Sequence, residues 1–127
     1  YSSAVLLDAW VQHVAQQKPS ETRQELAGSL TAQLAVLREL SVAVTTRLAA
    51  GERPLVEASL VKDLGTTFEQ SVPVLIGDDL ASHPDESVDP DLWQALMTLT
   101  HIAPAFSLRG GTREILRGII ARGLGLR

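Results

Sequence analysis

The chain lacks cysteine entirely, and aromatic residues make up only 4% of its 127 residues. Without thiols it can form no disulfide, no thiolate metal site and no cysteine nucleophile. It also lacks an apolar run near the roughly 18 residues of a membrane span, and no basic segment followed by an apolar one marks a signal peptide. We therefore expect no membrane partner, and the composition is compatible with a reducing, cytoplasmic location.

Leucine and alanine dominate what the chain does contain. Apolar residues account for 45% of the sequence, and the scarcity of aromatics favours helices over strands. The length suits one domain covering residues 1–127. The sequence begins at Tyr1 inside an apolar pattern and without an initiator methionine. We therefore expect this domain to be a piece of a longer chain.

Apolar residues recur at helical spacing in five segments. The predicted helices cover residues 2–17, 20–50, 54–77, 90–101 and 112–122. Ser20 is the expected N-cap of the second helix, Gly51 follows its end, and Pro90 opens the fourth. Pro73 lies inside the third helix, where a proline predicts a kink or an early end.

The second predicted helix has the broadest apolar face, with leucine, valine and alanine spaced three or four residues apart. Such a face predicts packing against more than one neighbouring helix. Together the segments predict an all-α fold. It is an up-and-down four-helix bundle followed by a short C-terminal helix.

Charge is unevenly distributed along the chain. Residues 78–91 carry six carboxylates and no lysine or arginine, whereas residues 109–127 carry five arginines and one glutamate. We interpret the acidic run as a solvated loop within a polar connection over residues 78–90. The arginines are not interleaved with aromatics, and Arg117 and Arg122 complement the negative end of the last helix. We therefore predict no nucleic-acid partner.

Sequence signals for common catalytic chemistry are weak. His13, His83 and His101 are far apart, and no pair of them has metal-ligand spacing, so we predict no metal site. No serine lies in a Gly-x-Ser-x-Gly motif. One segment does suit an anion. Residues 110–112 (GGT) precede a helix, whose first N–H groups can bind phosphate, although such a pair of glycines is usually only a turn.

Residues 107–126 have the sequence SLRGGTREILRGIIARGLGL, which resembles the C-terminal signature of acyl-CoA dehydrogenases. The shared features are Gly-Gly-Thr, Glu-Ile, Ile-Ile-Ala and a closing Leu-Gly-Leu. Residues 23–27 are similar to the Arg-x-x-Leu-Ala that opens the family's second bundle helix. Residues 49–51 and 58–62 are similar to its Gly-terminated hairpin and its Ala-x-x-x-Lys. The resemblance covers most of the chain and is most specific at the end.

The resemblance implies the C-terminal helical domain of a flavoenzyme that dehydrogenates acyl-CoA thioesters at the Cα–Cβ bond in lipid metabolism. It implies FAD as the cofactor and Thr112, Arg113 and Glu114 as cofactor-binding residues. It also implies acyl-CoA as the substrate of the full-length protein, and a homo-oligomer or mixed oligomer assembled through the bundle. The isolated domain would be inactive.

Gly110 occupies the position where many members of the family have the catalytic glutamate, and glycine cannot abstract a proton. No catalytic residue is therefore assigned within this chain. The family's Arg-x-Gln-Phe-Gly and Gln-x-x-Gly-Gly are replaced by residues 15–19 and 76–80. Two alternatives stay open: a non-catalytic partner subunit, and a helical dimerisation or ligand-binding module without flavin.

Overall fold

The computed structural model describes residues 2–126, which fold into helices without any strand. The elements are α1 (Ser3–Ala15), α2 (Glu21–Ala49), α3 (Leu55–Ala81), α4 (Pro90–Ile102), a 3₁₀ helix (Ala103–Leu108) and α5 (Arg113–Gly123). The predicted all-α fold is confirmed. Tyr1, at the start of the first apolar pattern, and Arg127, the last of the five C-terminal arginines, lie outside the described residues. No helix of the described part is long and apolar enough to cross a membrane.

Local side-chain and glycine signals set several of the helix bounds. The Ser20 hydroxyl accepts a hydrogen bond from the Arg23 N–H at 3.4 Å, as the N-cap prediction requires. The Asp89 carboxylate accepts one from the Asp91 N–H at 2.8 Å at the start of α4. Gly51 has φ +82° after the end of α2, in the left-handed region that glycine adopts without strain.

The two long helices form an antiparallel pair. Arg23 near the start of α2 bonds to Asp79 near the end of α3. Arg47 near the end of α2 bonds to Glu57 near the start of α3. Since each helix meets the opposite end of the other, α2 and α3 run in opposite directions.

The first helix runs parallel to α3 along its second half. The Ser2 N–H donates to the Glu69 carboxylate at 3.0 Å, and the Trp10 indole N–H donates to the Asp79 carboxylate at 2.9 Å. From the first pair to the second, the residue number rises along α1 and also along α3, so the two helices run in the same direction. Consequently, α1 lies beside residues 69–79 of α3 and ends at the same end of the molecule.

The fourth helix returns in the opposite direction along the same half of α3. Leu96 lies beside Gly77, and the Gln70 amide donates to the Ala103 carbonyl, just past α4, at 3.0 Å. Helix directions therefore alternate from α1 to α4, and α1 also packs against α4. The four helices form an up-and-down bundle, but only where the 13-residue α1 and α4 accompany the longer α2 and α3.

The hydrophobic core fills this four-helix part. Its buried side chains come from every helix of the bundle and from the 3₁₀ segment: Leu6, Leu7, Trp10, Leu30, Leu37, Phe68, Val72, Ile76, Leu80, Leu92, Leu96, Leu99, Ala103 and Phe106. The long α3 contacts all the other helices. It therefore connects the bundled end to the remaining part of the molecule, where α5 lies.

Pro73 does not end the third helix. α3 continues for eight residues beyond it, to Ala81, so the predicted early end is wrong. A proline inside a helix costs about 3 kcal/mol, whereas each fully buried aliphatic side chain contributes about 1.5–3 kcal/mol. Ile76 and Leu80, both buried beyond the proline, outweigh that cost. The acidic residues Asp78 and Asp79 consequently belong to a helix rather than to the predicted loop.

The second helix is only partly covered. It packs against α1 and α3, which confirms the predicted contact with more than one neighbour. Leu30 and Leu37 are buried, but Val36 and Leu48 of the predicted apolar face are 58% and 55% exposed. The reason is length, because α1 spans 13 residues against the 29 of α2.

The last helix packs antiparallel on the first half of α3. Arg113 at its start pairs with Asp63, and Gly123 at its end lies against Val56. This second contact is very close: a Cβ added to Gly123 would lie 2.1 Å from the Val56 Cγ2. Leu116 is buried between the two helices, and α5 therefore covers the part of α3 that α1 and α4 do not reach.

Candidate functional site at the start of α5

Two consecutive glycines turn the chain into α5. Gly110 has φ +72° and Gly111 has φ +110°, both in the region that strains other residues. Thr112 follows in an extended conformation as the N-cap, and its hydroxyl makes no cap hydrogen bond. The first N–H groups of a helix have no carbonyl partner within the helix, and the helix dipole is positive at this end.

Glu114 lies in the first turn of α5, at this positive end. Its pKa lies below the ordinary range, first because the Glu114 backbone N–H donates to the carboxylate and then because the Thr112 hydroxyl does. The carboxylate is thus an internal anion at a helix start, in the position that an external anion would also favour. An incoming phosphate would have to displace it.

Arg113 and Arg117 share one carboxylate on α3. Arg113 Nε lies 2.8 Å from Asp63 Oδ1, and Arg117 Nε lies 3.4 Å from Asp63 Oδ2. The Asp63 side chain is 13% exposed, and burial by itself raises its pKa, but the hydrogen bonds from the two arginines outweigh that effect and lower it. The cluster fixes the start of α5 on α3 and carries one excess positive charge.

Further contacts hold the segment before α5. The Lys62 ammonium donates to the Thr66 hydroxyl at 3.1 Å and to the Phe106 carbonyl at 3.3 Å, which ties the 3₁₀ segment to α3. The Arg109 guanidinium lies over the Phe106 ring, 5.1 Å from its centre. Lys62 also lies near the glycine pair, because a Cβ added to Gly110 would be 3.9 Å from the Lys62 Cε.

The structure places the three predicted cofactor-binding residues on the surface rather than in a pocket. Thr112 and Arg113 are half-buried and Glu114 is exposed. Of the grooves we describe on residues 2–126, none is lined by any of the three.

Asp63 is the member of this site that sequence reasoning missed. It lies 50 residues before Arg113, a separation that leaves no local pattern. One signal was available: a carboxylate on a largely apolar helix needs a cationic partner if it is buried. Gly110, where many members of the family that the chain resembles have the catalytic glutamate, has φ +72°. A glutamate would be strained in this backbone conformation, which glycine adopts freely.

A second ionic cluster, which we call the Arg23 cluster, lies at the bundled end. It comprises Trp10, His13, Arg23, Asp79 and Glu86. The Arg23 side chain is only 1% exposed, and its Nε lies 2.9 Å and 3.1 Å from the two Asp79 oxygens. Its terminal amino groups each bond to a Glu86 oxygen at 2.8 Å. This cluster joins α1, α2, α3 and the loop before α4.

The acidic run is therefore not simply a solvated loop. The Asp79 side chain is 7% exposed and that of Glu86 is 21% exposed. Arg23 lowers the Glu86 pKa by hydrogen bonding; for Asp79, burial raises the pKa but the bonds from Arg23 and Trp10 outweigh it and lower it. The solvated-loop prediction is wrong for these two residues, because Arg23 makes their burial favourable.

His13 is the histidine of this cluster. It is buried, and its Nε2 lies 3.4 Å from Glu86 Oε2. It also lines a groove of about 530 Å³ between the end of α1 and the start of α4, together with Asp89 and Asp91. No group of three or more potential metal ligands occurs among the residues that the structure describes.

Compared with known proteins, the chain matches no protein-family model and no curated relative.

Proposed function

We propose that this chain is the C-terminal helical domain of an acyl-CoA dehydrogenase-like flavoprotein, in which the start of α5 contacts FAD and the bundle serves assembly. The whole protein would dehydrogenate acyl-CoA thioesters at the Cα–Cβ bond. The observation that carries the proposal is the start of α5. The segment that resembles the family's signature forms a turn at two positive-φ glycines, and Thr112 and Arg113 follow it as the N-cap and first residue of α5.

The chemistry of this surface fits the anionic pyrophosphate of the cofactor or its neutral ribityl hydroxyls. Phosphate oxygens accept hydrogen bonds from helix N–H groups, from a threonine hydroxyl and from an arginine. Arg113 donates its Nε–H to Asp63. This bond uses one of the five N–H donors of the guanidinium, so four remain for a ligand. FAD, when bound, would accept a hydride. The residues of this chain would bind and orient it, and the proton-abstracting base would come from elsewhere.

A second candidate function is that of a non-catalytic partner subunit. The observation that favours it is the uncovered face of α2, where Leu34, Val42 and Ala49 help to line an open groove of about 630 Å³ and Val42 is 52% exposed. Exposed aliphatic residues along a long helix are typical of a surface that another subunit covers. In this function the bundle assembles, and Glu114 remains at the start of α5 in place of a phosphate.

FAD binding by the longest natural form of the protein distinguishes the two candidates. We expect visible flavin absorption after reconstitution with FAD and dialysis. Arg113→Ala should weaken FAD binding about 10-fold, the loss of one charge-assisted hydrogen bond. Arg122→Ala is the matched control, because it removes an arginine from the other end of the same helix, and its affinity should equal that of the unchanged protein.

Absence of flavin absorption in a folded protein would overturn the flavoprotein proposal and leave the partner-subunit function. Flavin that binds with unchanged affinity to Thr112→Ala and Arg113→Ala would show a different binding surface. Circular dichroism of each variant separates a lost contact from a lost fold.

A further inference from the structure

The molecule carries opposite charges at its two ends. We define the acidic end by Glu21, Glu25, Asp78, Asp79, Asp85, Glu86, Asp89 and Asp91. Lys18 and Arg23 lie in the same part of the chain, and Arg23 is already neutralised within its cluster. This end of the molecule thus carries eight carboxylates and two cations. Most of these carboxylates belong to exposed residues.

The basic segment, residues 109–122, lies at the other end. It contains Arg109, Arg113, Arg117 and Arg122 against Glu114, and Asp63 on α3 is the carboxylate that pairs with it. The Arg117 side chain is 61% exposed even though it pairs with Asp63. Asp78 and Asp79 of the acidic end follow position 77 of α3, while α5 packs near positions 56–63. At 1.5 Å per residue, the two ends lie roughly 30 Å apart.

We infer that copies of this chain associate head to tail, with the basic segment of one copy against the acidic end of the next. Charge complementarity is the argument, since the acidic end of one copy and the basic segment of another attract each other while like ends repel. The acidic end also offers the groove of about 530 Å³ that Asp89 and Asp91 line. The basic segment is flanked by Leu108 and Leu124, which are 70% and 65% exposed and supply apolar contact.

This contact differs from assembly through the uncovered face of α2. The α2 face is apolar, so its association should persist in salt. The head-to-tail contact is ionic, and it joins two different surfaces, so it can continue from copy to copy or close into a ring. It should weaken as the Debye length falls from about 30 Å at 0.01 M salt to about 3 Å at 1 M. The inference does not depend on flavin binding.

Sedimentation of two charge-altered variants tests the contact. Arg117→Glu/Arg122→Glu reverses the sign of the basic segment, and Asp78→Lys/Asp85→Lys removes most of the net negative charge of the acidic end. All four positions are exposed. At low ionic strength the unchanged protein should form species whose mass rises with concentration, and each variant alone should associate at least about 10-fold more weakly. An equal mixture of the two variants should regain association, because opposite ends meet again.

Several outcomes would overturn the inference. One is a mass that does not rise with concentration for the unchanged protein at low salt. Another is association that high salt leaves intact, and a third is a mixture that stays as dissociated as its components. Circular dichroism of both variants must first show the helical content of the unchanged protein. Any variant that fails this check is replaced by the single substitution Arg122→Glu or Asp85→Lys.

Discussion

The two ionic clusters of this molecule have opposite stoichiometry. In the Arg23 cluster one arginine lies between two carboxylates, whereas at the start of α5 one carboxylate, Asp63, lies between two arginines. Burial differs as well: the Arg23 side chain is 1% exposed, while those of Arg113 and Arg117 are 30% and 61% exposed. The buried cluster has every guanidinium nitrogen bonded and is structural. The exposed one keeps surplus positive charge that a ligand or partner could use.

Among the variants that test this difference between the clusters, Arg23→Met should lower the free energy of unfolding the most. The substitution keeps a long apolar stem but leaves Asp79 and Glu86 without their cation, which should cost about 3–5 kcal/mol of unfolding free energy. Urea unfolding followed by circular dichroism measures the loss. Arg38→Met, an exposed arginine on the same helix, is the control and should cost less than about 0.5 kcal/mol. Equal losses for the two variants would contradict a structural role of the cluster.

Gly123→Ala should have the next largest effect, through the α3–α5 contact. The new Cβ would collide with Val56, and overpacking of this kind costs about 1–3 kcal/mol. Gly118→Ala in the same helix meets nothing within 4 Å and should stabilise by up to about 1 kcal/mol, the difference in helix propensity. Thermal unfolding midpoints that move in the same direction for both variants would contradict the close approach.

The contribution of the Arg23 cluster to folding stability should decrease as the pH falls. The pKa values of Asp79 and Glu86 lie below their ordinary ranges, so their ionised forms favour the folded state. Stability should be fully present above about pH 5 and should be lost as the pH falls through the lowered values, below about pH 4. Urea midpoints between pH 7 and pH 3 measure it. In Arg23→Met this fall should disappear or reverse, because burial then dominates the pKa of Asp79.

Asp63→Asn should change the free energy of unfolding the least. It removes the negative charge between Arg113 and Arg117 in a cluster that solvent partly screens, so we expect a loss of about 0.5–1 kcal/mol. The same urea series measures it. If FAD binds at the start of α5, the variant should bind it more tightly, because the freed arginines increase the local positive charge. A loss as large as that of Arg23→Met would remove the distinction between the two clusters.

Helices were predictable from this sequence because their signals are local. Ser20, Gly51 and Pro90 act within a few residues, and four of the five predicted helices agree with the structure to within two residues at either end. α3 differs because burial beyond Pro73 decides its length, and burial is a tertiary property. The all-helical fold followed from composition and periodicity, and the alternation of directions from the short connections.

The ionic partners could not be predicted in the same way. Arg23 meets Asp79 and Glu86 from 56 and 63 residues away, and Arg113 meets Asp63 from 50 residues away. Sequence reasoning saw Arg23 as part of a helix opening and the two carboxylates as part of a loop. At the start of α5 it found the glycine turn and the residues beside it. It could not find the carboxylate that holds them.

The uneven covering of α2 should give this single helix two rates of amide hydrogen exchange. Around Leu30 and Leu37 the helix is packed into the four-helix core, so its amide hydrogens can exchange only when the whole domain unfolds. Over residues 42–49, Val44 is half-buried and the other side chains are exposed, so this end can open while the core stays intact. A continuous helix of 29 residues would then behave as two units. The boundary between them would mark where the bundle ends.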